Sequence, residues 1–263
     1  MFAFFRWLER LSLDAVIVAV LWGWVLSLLA GLTVNPATLL VLAMATWLTY
    51  VADRLRDTAP GREVPETSRH LYYRRHYNQF RTIWLAVFPM TVLLAVLLLP
   101  LWKVLWGWSL VAIIAAYLHL LGKAANPSQR LLLKRLMVPI IFTAGVGWMA
   151  EGWRTMESGA AVLILFLASL VNVLLISMEE GKDSLVPRWL PGFLGASLVA
   201  LVLAGNASLL IHWPVGVAAL YCSMVYFVLL LRIKGSRVDW IRLWADAALA
   251  DGAILIVILQ FFL

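Results

Sequence analysis

The chain has 263 residues, 63% of them hydrophobic and 13% charged, with a net charge of +7 at pH 7. Apolar runs of membrane length recur from one end to the other, which excludes a soluble globular domain and marks an integral membrane protein. One cysteine, Cys222, inside such a run, excludes a disulfide framework and a thiolate metal site. The basic excess falls between the runs, so it reads as membrane topology rather than as a nucleic-acid surface.

Residues 1–12, MFAFFRWLERLS, mix aromatic side chains with Arg6 and Arg10, a composition that suits a short helix lying in the membrane interface. The run over 13–34 is long enough to span, has no small-residue cleavage site, and is expected to form the first transmembrane helix. Further spans are expected over 36–53, 82–102, 104–122, 134–151, 159–178, 190–211, 214–232 and 240–262, nine in all. The chain is thus expected to be one all-α transmembrane domain over 1–263, without a linker. Pro36, Pro191 and Pro214 fall near helix starts, where a missing amide proton costs nothing, whereas Pro89 and Pro139 fall inside spans and are expected to kink them.

With nine spans, 19 of the 21 Lys and Arg residues share the side of the N-terminus, and only Lys103 and Arg154 lie opposite. The positive-inside rule then puts the N-terminus on the cytoplasmic side of the plasma (inner) membrane and the C-terminus on the other.

Chemistry concentrates at two span ends. Residues 46–57, TWLTYVADRLRD, finish an apolar run with Asp53 and Asp57 four residues apart, one turn apart on one helix face if the helix continues. Four spans later, residues 172–183, NVLLISMEEGKD, place Glu179 and Asp183 at the same spacing and on the same side. Two such pairs facing each other could hold Mg²⁺ ions that bridge a diphosphate. Arg54, Arg56, Arg69, His70, Arg74, Arg75, Lys134 and Arg135 are expected on that side, where cations donate hydrogen bonds to phosphate oxygens. The same residues also admit a plain reading, in which arginines set topology and the carboxylates form ordinary ion pairs at a wet boundary.

Polar residues inside the spans form stripes. Thr46, Thr49 or Tyr50, Asp53 and Asp57 line one face of the second span, and Asn172, Glu179 and Asp183 line one face of the sixth. Asn172 would serve a helix-packing hydrogen bond as well as a ligand contact. In the last span Asp239, Arg242 and Asp246 are spaced for intrahelical ion pairing. Asp251 falls near the bilayer middle and is expected to face the bundle interior, because a carboxylate facing lipid costs several kcal/mol. His119 is expected to be a satisfied core histidine rather than a ligand.

TWLTYVADRLRD, the basic stretch SRHLYYRRH, NVLLISMEEGKD and the last-span opening RLWADAALAD together resemble the UbiA superfamily of intramembrane prenyltransferases, nearest its divergent UbiA-like branch with degenerate aspartate motifs. The resemblance implies a nine-transmembrane-helix bundle in whose cavity a polyprenyl diphosphate meets a lipid-soluble acceptor, with Mg²⁺ assisting loss of diphosphate. It implies Asp53, Asp57, Glu179 and Asp183 as catalytic metal or diphosphate ligands. Thr49, Tyr50, Arg69, His70, Arg74, Arg75, Lys134, Arg135, Asn172 and Asp246 are implied as substrate-binding residues, with Trp47, Tyr50 and Tyr117 as aromatic shelter for an allylic cation. Thr49 and Tyr50 stand where the family motif carries Asn-Asp, and Glu179 replaces the usual first aspartate of the second motif. Those departures keep open a non-catalytic UbiA-like protein that binds an isoprenoid, quinone or pigment lipid, or acts as a subunit or assembly factor of a membrane complex. A transporter using Asp246 and Asp251 as a proton relay is a third reading.

Overall fold

The computed structural model describes residues 7–8, 10–61, 68–123, 127–180, 190–232 and 238–261, and every regular element among them is helical. The helices are α1 (Leu13–Leu29), α2 (Pro36–Asp57), α3 (Ser68–Arg75), α4 (Tyr77–Leu98), α5 (Leu101–Lys123), α6 (Pro127–Met149), α7 (Met156–Glu180), α8 (Leu190–Ile211), α9 (Trp213–Arg232) and α10 (Val238–Gln260). Eight of them, α2 and α4 to α10, are long and apolar enough to cross a membrane, which makes the chain an all-α membrane bundle. The remaining apolar helix, α1, has only 17 residues, although the apolar run it comes from was expected to span over 13–34.

The reason α1 stops early is local. Gly31 takes a left-handed φ of 68°, Gly31 N donates to Leu28 O at 3.0 Å, and Leu32 N donates to Ser27 O at 2.9 Å. That is a Schellman ending, which turns the chain while satisfying the last carbonyls. Two residues of the next turn restart it: Asn35 Oδ1 accepts from Ala37 N at 2.9 Å, and Pro36 opens α2. α2 then runs four residues beyond its expected end, and Thr58 closes it by donating from both N (2.9 Å) and Oγ1 (2.8 Å) to Arg54 O. Asp53 and Asp57 are therefore both helical. Pro89 and Pro139 lie inside α4 and α6, which continue through them. The basic stretch after α2, which lies outside the expected spans, contains the short helix α3.

α1 packs against α2, α6, α7 and α10, and α7 against α6, α8, α9 and α10. The largest apolar core lies among these helices, around the fully buried Trp22, whose Nε1 donates to Leu249 O at 2.9 Å. Cys222 packs there too, with Sγ 3.3 Å from Ala248 O, and a Cβ added at Gly252 would stand 2.8 Å from that sulfur. Trp22→Phe keeps an aromatic ring but loses the indole donor and the volume of its five-membered ring in a fully buried position. The cavity adds to the lost hydrogen bond, so the substitution is expected to cost about 2–3 kcal/mol, read as a fall in thermal midpoint in detergent.

α2, α3 and α4 share a smaller cluster of Val51, Leu55, Tyr73 and Phe80, tied by Trp84 Nε1 to Leu48 O at 2.8 Å and by Ser12 Oγ to Tyr73 Oη at 3.1 Å. α4 and α5 are the least buried helices of the bundle. At the end away from Asp53, Lys103 donates to Met149 O at 2.9 Å and stands 3.2 Å from Glu151, whose other oxygen lies 3.4 Å from Arg154. Thr155 Oγ1 donates to Leu29 O at 2.9 Å at the same end, and Trp102, Trp106, Trp148 and Trp153 gather beside it. The two basic residues that the charge count set apart thus share one carboxylate. These contacts join the α1 C-terminus, the α5 N-terminus and the α6–α7 turn, as alternating antiparallel helices require.

Candidate functional site

The C-terminal turn of α2 sets the site. Its 3.6-residue period carries Asp53 and Asp57 to the face that meets α6. There Lys134 Nζ lies 3.1 Å from Asp53 Oδ2 and 2.9 Å from Asp57 Oδ2, so one ammonium bridges both carboxylates. Arg54, on the same turn, is buried, with Nη1 4.0 Å from Asp53 Oδ2. From α3 comes the buried His70, its Nε2 3.2 Å from Arg54 Nη1 and 4.0 Å from Asp57 Oδ2.

The histidine's protonation follows from those distances. A guanidinium can only donate, so His70 Nε2 accepts from Arg54 and carries no proton, leaving the ring neutral with its proton on Nδ1. Protonation at Nε2 would set two cations 3.2 Å apart. The 4.0 Å approach to Asp57 is then a contact of a neutral ring rather than an ion pair. Arg54 and His70 instead form a buried backing for the carboxylates. Arg135, the residue after Lys134, is buried as well. The two aspartates thus face Lys134 and Arg54, with Arg56 of the same helix end within electrostatic reach of Asp53.

Among the described residues, Asp53 Oδ1, Arg54 Nε and the hydroxyl of the buried Tyr117 on α5 are polar atoms at this end that have no hydrogen-bond partner. Tyr117 is within electrostatic reach of both Asp53 and Asp57. Each unpaired buried group is expensive unless something else satisfies it.

Of the expected site residues, Asp53, Asp57, His70 and Lys134 meet, and Arg135 is buried on α6 next in sequence to Lys134. Arg74 and Arg75 are exposed at the end of α3. Thr49 spends its hydroxyl on Ala45 O at 2.9 Å, and Tyr50 is half-buried one turn before Arg54. Trp47 donates to Leu11 O at 3.1 Å, a packing role. Arg69 lies in α3 and Glu179 in the last turn of α7 with their side chains outside the described residues, and Asp183 lies outside them altogether. Asn172 and Asp246 meet each other: Asn172 Nδ2 donates to Asp246 Oδ1 at 2.7 Å, joining α7 to α10. Among the described residues, Asn172 Oδ1 has no hydrogen-bond partner.

Two expectations are overturned. Asp251 does not face the bundle interior; it is exposed on α10, and Tyr221 Oη donates to its Oδ2 at 3.1 Å. His119 is exposed on α5 rather than held in a core. In both cases the sequence shows depth along a helix but not which side of the helix neighbours cover.

The part of the site least readable in advance is the role of Arg54. Its position between two aspartates reads as a local ion pair, and only the fold of α3 back onto α2 gives it His70 as a partner. Among the described residues, no group of three or more His, Cys, Asp or Glu side chains gathers as a metal site would. No protein-family model, curated protein or solved structure matches the chain.

Proposed function

We propose that the chain is a UbiA-like intramembrane protein of nine transmembrane helices, α1 being the thin ninth, that transfers a prenyl group from a polyprenyl diphosphate to a lipid-soluble acceptor. In this reading the N-terminus and the Asp53 cluster face the cytoplasmic side of the plasma membrane, the bilayer is the medium of both substrates, and nucleic acid is not a partner. The observation that supports it is the gathering of Asp53, Asp57, Arg54, His70 and Lys134 from α2, α3 and α6 onto one helix end. Such a cluster suits an anionic head group whose apolar tail lies among the spans.

The chemistry is a substitution. The bond between the first prenyl carbon and the diphosphate oxygen breaks, diphosphate leaves with the electron pair, and the acceptor forms the new bond and gives up a proton. Lys134 and Arg135 would take diphosphate oxygens, and the unpartnered Tyr117 hydroxyl can donate a further hydrogen bond. Whether Mg²⁺ fits is decided by Lys134. Its ammonium bridges both Oδ2 atoms, so the carboxylates would suit an ion held jointly with the diphosphate better than a resident one. Asp53, through its unpartnered Oδ1, and Asp57 would hold that ion, which neutralises charge on the leaving group.

The same lysine bridge favours a second reading, a non-catalytic protein of this architecture. There the internal cation stands in for the metal, and the cluster retains an isoprenoid, quinone or pigment lipid or supports a membrane-protein complex. One experiment separates the two: purified protein in nanodiscs, given labelled polyprenyl diphosphate, Mg²⁺ and a broad acceptor panel. Diphosphate release with a prenylated product is the expected result. Saturable retention without release would select the second reading, and neither binding nor release would reject both.

A further inference from the structure

A carboxylate stands where a bundle facing only lipid should have none. Asp251 lies nine residues before the end of α10, and its partner Tyr221 lies eight residues after the start of α9. At 1.5 Å per residue the two helices independently put the pair about 12–14 Å from that end, close to the middle of a hydrocarbon core about 30 Å thick. Asp251 shares its face of α10 with the exposed Trp244, Ile254 and Ile258, while Ala245, Leu249 and Ile256 on the opposite side are buried. The adjoining face of α9 exposes Met224, Phe227 and Val228. The result is a two-helix apolar face with one acid at its edge.

Acyl chains cannot satisfy that acid. A carboxylate has about four acceptor sites, and Tyr221 fills one. Leaving the rest against lipid costs several kcal/mol, which a partner bearing a donor removes. A second copy of this chain offers no cationic donor at that depth. Among the described residues, Lys103 is buried, and the exposed Arg10, Arg74, Arg75, Arg81, Arg154 and Arg232 lie within about a turn and a half of helix ends or in the turns between helices, far from that depth. Two copies brought together here would oppose acid to acid.

We infer that the α9–α10 face around Asp251 and Tyr221 docks a transmembrane helix of another protein that presents a basic side chain at mid-bilayer depth. The cation meets Asp251 Oδ1 and Oδ2, and the apolar side chains to either side pack along the partner. This interface is independent of the diphosphate reading and lies on a different face from the Asp53 cluster.

The test uses the full chain in phosphatidylcholine vesicles and, as probe, a donor-labelled Leu-Ala transmembrane peptide with one central lysine, compared with the same peptide carrying leucine there. Energy transfer to acceptor-labelled protein is expected to show the lysine peptide binding roughly tenfold more tightly, the size of one good hydrogen bond in a membrane. Asp251→Asn should weaken that preference and Asp251→Leu abolish it. Because Asp251 is exposed, both variants should fold, which their unchanged thermal midpoints would verify. Equal binding of the two peptides to wild type, or a lysine preference that survives in Asp251→Leu, would overturn the proposal. So would energy transfer between copies of the protein that disappears in Asp251→Leu, because it would give the face to a second copy.

Discussion

Lys134→Met is expected to destabilise the detergent-solubilised protein by about 2 kcal/mol, the larger part of which Asp53→Asn and Asp57→Asn should restore when combined with it. The lysine is the shared counter-ion of two carboxylates at 2.9 and 3.1 Å. Removing it leaves two like charges one turn apart, with Arg54 at 4.0 Å as the nearest remaining cation. Breaking a fully buried pair costs about 3–5 kcal/mol, and the 34% exposure of the Lys134 side chain brings the figure down because water screens part of the repulsion. Thermal unfolding of the single, double and triple variants closes the cycle. A Lys134→Met protein as stable as wild type would mean that the bridge contributes nothing.

The same bridge shows what the sequence could and could not disclose. Apolar length and charge spacing carry the membrane class and most helix positions, because a span must be long and dry whatever it packs against. They fail where a short-range device intervenes. The Schellman ending at Gly31 trims α1, and Thr58 prolongs α2 by the turn that makes Asp57 helical. That Asp53 and Asp57 share a face is a matter of period and was readable. That Lys134, 77 residues on, meets Asp57 rather than solvent is not, because positive-inside statistics give a lysine a side of the membrane but no neighbour. Asp251 marks the limit most clearly. Its depth follows from counting residues, and the cost of exposing it to lipid argued for the interior. The small residues Ala245, Ala248, Gly252 and Ala253 claim the packed face of α10 instead, since they let α1 and α9 approach closely.

Asp53→Asn combined with Asp57→Asn is expected to abolish prenyl transfer, by a hundredfold or more, roughly what removing an electrostatic contributor to a transition state costs. Head-group binding should move the other way. The substitution deletes two negative charges beside Arg54 and Lys134, so an isoprenoid diphosphate without metal should bind at least as tightly as to wild type, and the advantage should shrink with salt. The opposite signs are what make the experiment decisive. A catalyst that positions Mg²⁺ through these carboxylates loses turnover while keeping its substrate, whereas a lipid-retaining scaffold has no turnover to lose and gains affinity. Because uncompensated buried cations also weaken the fold, the triple variant with Lys134→Met serves as control: it removes one of the two cations left without a carboxylate and recovers part of the stability but not transfer. Metal-dependent release that survives in Asp53→Asn with Asp57→Asn would remove both aspartates from the chemistry and leave Arg54, His70 and Lys134 as a structural lock on the end of α2.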